Sequence, residues 1–350
     1  MGLFFSFWDR MNRLKLGFFI SFMILGLVGC GGDPDQGPPV RIALDWTQNT
    51  HHTGLYVAKY LGFFRREGFG HVEILPTNVS VERIVGSNQA DVGFIGQKGF
   101  LRAVDRDIPI RSIAAVVQNN VEGIAVAGDS NIIQFKDLEG KRYGSYGGST
   151  ELAVLQFMMR KAGGDPGKMR MVELGDFNDL EAIRQGIVDA VWVFQGWTGI
   201  EAALKGHPLR MFSIKDADGR LDPYYPLIVA HKDAVQPQGS ASTKLHRIMR
   251  ALDAGYRYAI EHPREASEIF MKENPLANRE LVEASQQFLA HRYQGRASCW
   301  GYQEPKRWLD LGDWMKENQL ISPSLNVQNF FTNDFLPGDC KALHPSPRGG

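Results

Sequence analysis

Four stretches of this chain carry side chains suited to holding a small molecule. The first supplies Asp45, Trp46, Asn49 and His52. The second and third are two glutamines, Gln97 and Gln195, the latter flanked by Phe194 and Trp197. The fourth is the turn Gly147, Gly148, Ser149 and Thr150. Tyr225, beside Tyr224, sits near a place where the chain is expected to turn back. Together they offer amides, hydroxyls, one carboxylate, one imidazole and several flat rings. That set suits a neutral or weakly polar heteroaromatic, with rings on its faces and polar groups at its edges. The glycine turn, running into a helix start, exposes backbone N–H groups to an anion or a polar group. Plainer readings compete: each Trp as core, His52 as a helix cap or satisfied core histidine, the glycine turn as a simple cap.

Other chemistry has little support. The histidines show no metal-ligand spacing, and His51 and His52 are adjacent, so they point in different directions on a helix. Neither a G-x-S-x-G elbow nor a phosphate-binding loop is present. No metal and no cofactor is expected, and the chain reads as a binder rather than an enzyme.

These residues are placed by alternating strands and helices, which argue for an α/β fold with parallel sheets. Val40–Leu44 reads as a strand, Gly54–Leu61 as a helix, His71–Leu75 as a strand, Val81–Val85 as a helix and Asp91–Ile95 as a strand. The same kinds of element recur to about Arg220. Beyond Ser242 the pattern is helical, over 244–260, 264–273, 279–292 and 305–318. In open α/β sheets ligands sit outside the carboxyl ends of the strands. That rule nominates the residues named above. One internal echo supports two lobes on one plan: in Ile84–Gln97 and Ile183–Gln195, each glutamine follows an aspartate, Asp91 or Asp189, by six residues.

The N-terminus reads as a leader. Arg10, Arg13 and Lys15 precede the apolar run Leu16–Val28, which is of signal-peptide length and too short for a membrane span. The run ends in Leu-Val-Gly-Cys, which resembles a bacterial lipobox with Cys30 as the lipidated residue. Residues 1–29 are then the signal peptide and 30–39 a Gly/Pro/Asp tether. The expected location is outside the cytoplasm, lipid-anchored to a bacterial membrane, as a monomer. The 39 basic and 39 acidic side chains balance, which argues against a nucleic-acid partner. Cys299 and Cys340 are either free or paired, and an oxidising compartment favours pairing.

The stretch L-D-W-T-Q-N-T-H-H-T-G-L-Y-V-A at 44–58, followed by K-Y-L-G-F-F-R-R-E-G, resembles a family that joins solute-binding proteins for thiamine-pyrimidine precursors with thiamine-pyrimidine synthases. Sulfonate- and nitrate-binding proteins are more distant relatives. The resemblance implies a two-lobed periplasmic binding protein fold (type II), with a ligand cleft between lobes and crossings near Val121–Ala127 and Tyr225–His231. Lobe 1 is expected over 40–124 and 226–337 with the C-terminal helices, lobe 2 over 125–225, and a tail over 338–350. It also implies a small heteroaromatic ligand and, as partners, the permease and ATPase subunits of an ABC importer. Trp46 and the turn at Gly147–Thr150 would belong to the pyrimidine pocket. The synthase branch differs by a histidine after the strand at 92–95 and by a cysteine cluster before the second crossing. Neither is present here, and Lys98 looks shifted. A synthase-like enzyme using His51, His52 and Lys98 is the alternative function. A binder of riboflavin or of a sulfonate-like anion is another.

Overall fold

The computed structural model describes residues 37–340 apart from 77–79, 176 and 339. Cys30, the leader and most of the expected tether lie outside these residues. No helix among the described residues is long and apolar enough to cross a membrane.

The first half runs β1 (Val40–Ala43), α1 (Thr53–Tyr60), α2 (Phe63–Arg66), β2 (Val72–Leu75), α3 (Val81–Gly86), β3 (Val92–Ile95), α4 (Gln97–Val104) and β4 (Ile110–Ala115). The second continues with β5 (Glu122–Ala127), β6 (Arg142–Ser145), α5 (Ser149–Lys161), β7 (Arg170–Glu173), α6 (Asp179–Arg184), β8 (Ala190–Phe194), α7 (Ile200–Leu204), β9 (Leu209–Ser213) and α8 (Ile214–Ala217). The chain then returns through β10 (Leu227–His231) to α9 (Ser240–Glu261), α10 (Pro263–Glu273), α11 (Arg279–Gln294) and α12 (Pro305–Glu317). Uninterrupted apolar strands such as Val92–Ile95 are buried throughout, as strands covered on both faces must be.

Two five-stranded sheets result, in the orders β2-β1-β3-β10-β4 and β7-β6-β8-β5-β9. They are built alike. In each, one strand is antiparallel to its neighbours: β10 in the first and β5 in the second. The parallel sheets expected from the alternating pattern thus each carry one antiparallel strand, because a strand arriving from the other sheet enters in the opposite direction. β5 lies wholly in the second sheet. The passage between sheets therefore falls between Ala115 and Glu122.

The internal echo has a physical basis. Asp91 accepts from the backbone N of Arg41, and its own N–H donates to the Arg41 carbonyl. Asp189 does the same with Arg142. Each aspartate thus pins the strand two strands upstream and fixes the parallel registers β1·β3 and β6·β8.

The C-terminal helices hold the halves together. α9 lies against α1 so closely that a Cβ on Gly54 would fall 2.3 Å from the Tyr256 ring. This contact explains the glycine in H-T-G-L-Y-V-A. α12 touches both halves, with Trp308 edge-on to Phe100 and Trp314 edge-on to Phe157, so the C-terminal helices do not belong to the first lobe alone. Cys299 and Cys340 form a disulfide with Cα atoms 5.4 Å apart. Next to it, Trp300 stacks on Tyr256 at 4.2 Å and donates from Nε1 to the Val116 carbonyl.

Candidate functional site

The carboxyl ends of β1, β3 and β8 meet where the two halves face each other. β1 hands over to Asp45 and Trp46, then to a 3-10 turn at Thr50–His52. Asn49 caps that turn: its Oδ1 accepts from the His51 N–H at 2.8 Å. The Asn49 N–H lies 3.4 Å from His52 Nδ1, and His52 Nε2 lies 2.8 Å from Asp45 Oδ1. Nδ1 therefore accepts, and Nε2–H donates to the carboxylate. Asp45 also accepts from the Tyr225 hydroxyl. Burial works to raise the Asp45 carboxyl, but the hydrogen bond and charge of His52, with Tyr225, bring it below its ordinary value.

Around this polar corner stands a ring of aromatics. Phe194, at the end of β8, lies 4.5 Å from Tyr225, 6.1 Å from Trp46 and 6.0 Å from His51 between centroids. His51 is edge-on to Tyr225 at 5.6 Å. Asp45, Trp46, His52, Phe194 and Tyr225 are thus brought together, and Asn49 supports them. Gln97 is buried behind them, its Oε1 accepting from the Tyr224 N–H.

Three expectations change. Gln195 is exposed, so the echo with Gln97 ends one residue short of function. The chain after β8 winds into a π-helical turn, Gln195–Gly199, which rotates its side chains away. Trp197 is carried to a socket formed by Tyr56, Phe270, Met271 and Val282, outside the aromatic ring. The glycine turn is not an anion cradle. Gly147 has φ 76°, and its N–H already donates to Ser145 Oγ. Glu151 accepts from Tyr143, Ser145 and the Tyr146 N–H. Glu173 and Asp179 add negative charge nearby, through Gly147 and Tyr146 respectively. Gly148 caps α5, Ser149 is exposed, and Thr150 keeps a buried, unpartnered Oγ1.

Sequence reasoning misassigned one feature and missed another. His51, read only as a candidate of the synthase-like alternative, is 3% exposed and part of the aromatic ring; the 3-10 turn lets the rings of both adjacent histidines point inward. Glu122 opens β5 opposite Phe194, buried and 2.5 Å from Lys98 Nζ, which also sits 4.5 Å over the Trp192 ring. Only the fold brings Lys98 and Glu122 together, since they lie on opposite sides of the first crossing.

Burial pushes the His51 imidazole down to about 4 from its ordinary 6.5, against the pull of the Asp45 charge. Between those values the unfolded chain binds a proton that the folded chain refuses. This contribution to stability is intact above pH 6.5 and is lost as the pH falls toward 4, by roughly 3 kcal/mol in all. Urea unfolding from pH 7 to 4 should show the decline, and His51→Gln should flatten it. An unchanged slope in the variant assigns the decline to other groups.

Among the described residues no group of three or more His, Cys, Asp or Glu is arranged to hold a metal ion. Two sheets of matched order with a cleft at their strand ends define a periplasmic-binding-protein fold. The periplasmic aliphatic sulphonate binding protein SsuA from Escherichia coli shares it, with TM-score 0.62 at 16% identity over 83% of this chain and 91% of that one. The chain belongs to the NMT1/THI5-like family, whose model matches residues 49–266. It is 24% identical to the formylaminopyrimidine-binding protein of Halalkalibacterium halodurans, over 89% of this chain and 96% of that protein. It is 26% identical to the 4-amino-5-hydroxymethyl-2-methylpyrimidine phosphate synthase of Legionella pneumophila, over 85% and 92%.

Proposed function

We propose that this chain is the solute-capturing component of an importer, taking up an amino-bearing heteroaromatic of the thiamine-pyrimidine-precursor type. The observation that carries the reading is the aromatic ring of Trp46, Phe194 and Tyr225 closed around the polar corner of Asp45 and His51. Flat faces suit a flat ligand, and the corner supplies hydrogen bonds at its edge. The binding-protein relative supports the ligand class. An ATP-driven permease is the partner to which the ligand is handed, and Cys30 carries the lipid that keeps the protein at the membrane surface. The Cys299–Cys340 bridge is in keeping with an oxidising compartment.

Capture fits the side chains better than catalysis. Of the candidates for a synthase-like enzyme, Lys98 is engaged by Glu122, and His52 by Asp45 and Asn49. Anionic ligands fit worse still, because Asp45 already brings a carboxylate to the corner while Lys98 is neutralised by Glu122.

Calorimetric titration should show tight binding of aminopyrimidines and none of taurine. Mass spectrometry of the mixture should return the pyrimidine intact. Trp46→Ala should weaken binding by about 1 kcal/mol or more, through the lost stacking face. Affinity unchanged in that variant removes Trp46 from the pocket, and a chemically altered pyrimidine restores the enzyme reading.

A further inference from the structure

His51 differs from Asp45 and His52, its ionisable neighbours at the end of β1. The two nitrogens of His52 are both engaged, by the Asn49 N–H and by Asp45. The Asp45 carboxylate is engaged by His52 and Tyr225. His51 is held just as firmly by its backbone: its N–H donates to Asn49 Oδ1, and its carbonyl accepts from the Tyr256 hydroxyl at 2.7 Å. Yet its ring nitrogen Nδ1 is buried and has no hydrogen-bond partner. It lies in a ring edge-on to both Phe194 and Tyr225.

A buried polar atom without a partner lowers stability, and native proteins keep few of them. A side chain fixed at both backbone ends, with Nδ1 unspent among the aromatic walls, is prepared for a partner that arrives from outside. We propose that His51 reads the edge of the bound ring through Nδ1, selecting ligands that carry an amino group beside an acceptor ring nitrogen. This rests on the reading of the site as a heteroaromatic pocket. The chemistry follows from the imidazole. In its neutral form Nδ1 is either a donor or an acceptor, according to tautomer. An aminopyrimidine edge presents both a donor and an acceptor, so it satisfies either tautomer. A pyrimidine without the amino group can meet only one of them. An oxyanion offers only acceptors and must also approach the Asp45 charge.

The experiment compares two ligands, 4-amino-2-methylpyrimidine and 2-methylpyrimidine, titrated by calorimetry into the full chain and into His51→Phe and His51→Gln. Melting curves on all three confirm folding. The wild type should prefer the amino compound by roughly tenfold or more, the scale set by one unmade hydrogen bond at a buried site. His51→Phe should erase that preference, and His51→Gln, whose amide again offers a donor and an acceptor, should keep most of it. If His51→Phe weakens both ligands equally and the ratio survives, His51 only supports the fold and the inference is wrong. If the wild type binds neither pyrimidine, the heteroaromatic reading itself fails, and the assignment to His51 with it. An unfolded His51→Phe leaves the decision to the ratio in His51→Gln and in His51→Leu. A ratio kept in Gln and lost in Leu supports the inference, and any other pattern overturns it.

Discussion

Lys98→Met is expected to lower the unfolding free energy by about 3–5 kcal/mol. The Lys98 and Glu122 side chains are 14% and 2% exposed, and Nζ lies 2.5 Å from the carboxylate. Removing the ammonium leaves an anion between two sheets, with no other cation in contact with it among the described residues. Burying such a charge uncompensated costs far more than the pair itself contributes. The double variant Lys98→Met/Glu122→Met should therefore recover most of the loss, since apolar groups of similar size often replace a buried pair at little net cost. Denaturant midpoints of the wild type, both single variants and the double variant close the cycle. A single-variant loss below about 1 kcal/mol, the range of solvated pairs, places Lys98 and Glu122 in water instead. The pair also joins α4 of the first half to β5 of the second. Lys98→Met should consequently weaken ligand binding as well as stability, whereas a core substitution remote from the cleft should leave affinity alone.

Cys299→Ser with Cys340→Ser should cost about 4 kcal/mol, the chain-entropy value for a bridge of sequence separation 41. The effect should reach beyond stability. Cys299 adjoins Trp300, which stacks on Tyr256, and the Tyr256 hydroxyl holds the carbonyl of His51. Loosening the bridge slackens the floor under the polar corner. Reduction by dithiothreitol should therefore lower both the urea midpoint and the affinity of the captured ligand. A reduced protein with an unaltered midpoint assigns the anchoring of this segment to Trp300 instead.

Much of the fold was legible because its signals are local. Buried strands between amphipathic helices announced α/β, and the echoed aspartates announced two copies of one plan. Asp91 and Asp189 do the same work, each pinning a neighbouring strand. The antiparallel strand in each sheet was not legible, since only the crossing of the chain between sheets reverses it. The site was half legible. Asp45, Trp46, Asn49 and His52 follow directly from the end of β1, and strand ends are where open sheets bind ligands. Gln195 and Trp197 were misplaced because a π-helical turn, with its extra residue, rotates the chain after Phe194. Of the two ligand types read for the glycine turn, an anion or a polar group, the anion is disfavoured because Glu151, Glu173 and Asp179 converge on it from three elements. Glu122 was invisible, because a lone glutamate at a strand start means nothing until Lys98 is brought to it.

The six tryptophans among the described residues are partitioned in a way that makes the molecule its own optical gauge. Trp300, Trp308 and Trp314 are sealed in the core; their emission should stay blue-shifted and steady until the protein unfolds. Trp46, Trp192 and Trp197 all stand where the halves touch: one against Phe194, one under the Lys98 ammonium, one in its apolar socket. Any parting of the halves wets those three, while Trp300, stacked on Tyr256, stays dry. Emission should then resolve into a constant component and a variable one, and the variable component alone would report, in real time and without a label, how far the cleft is open.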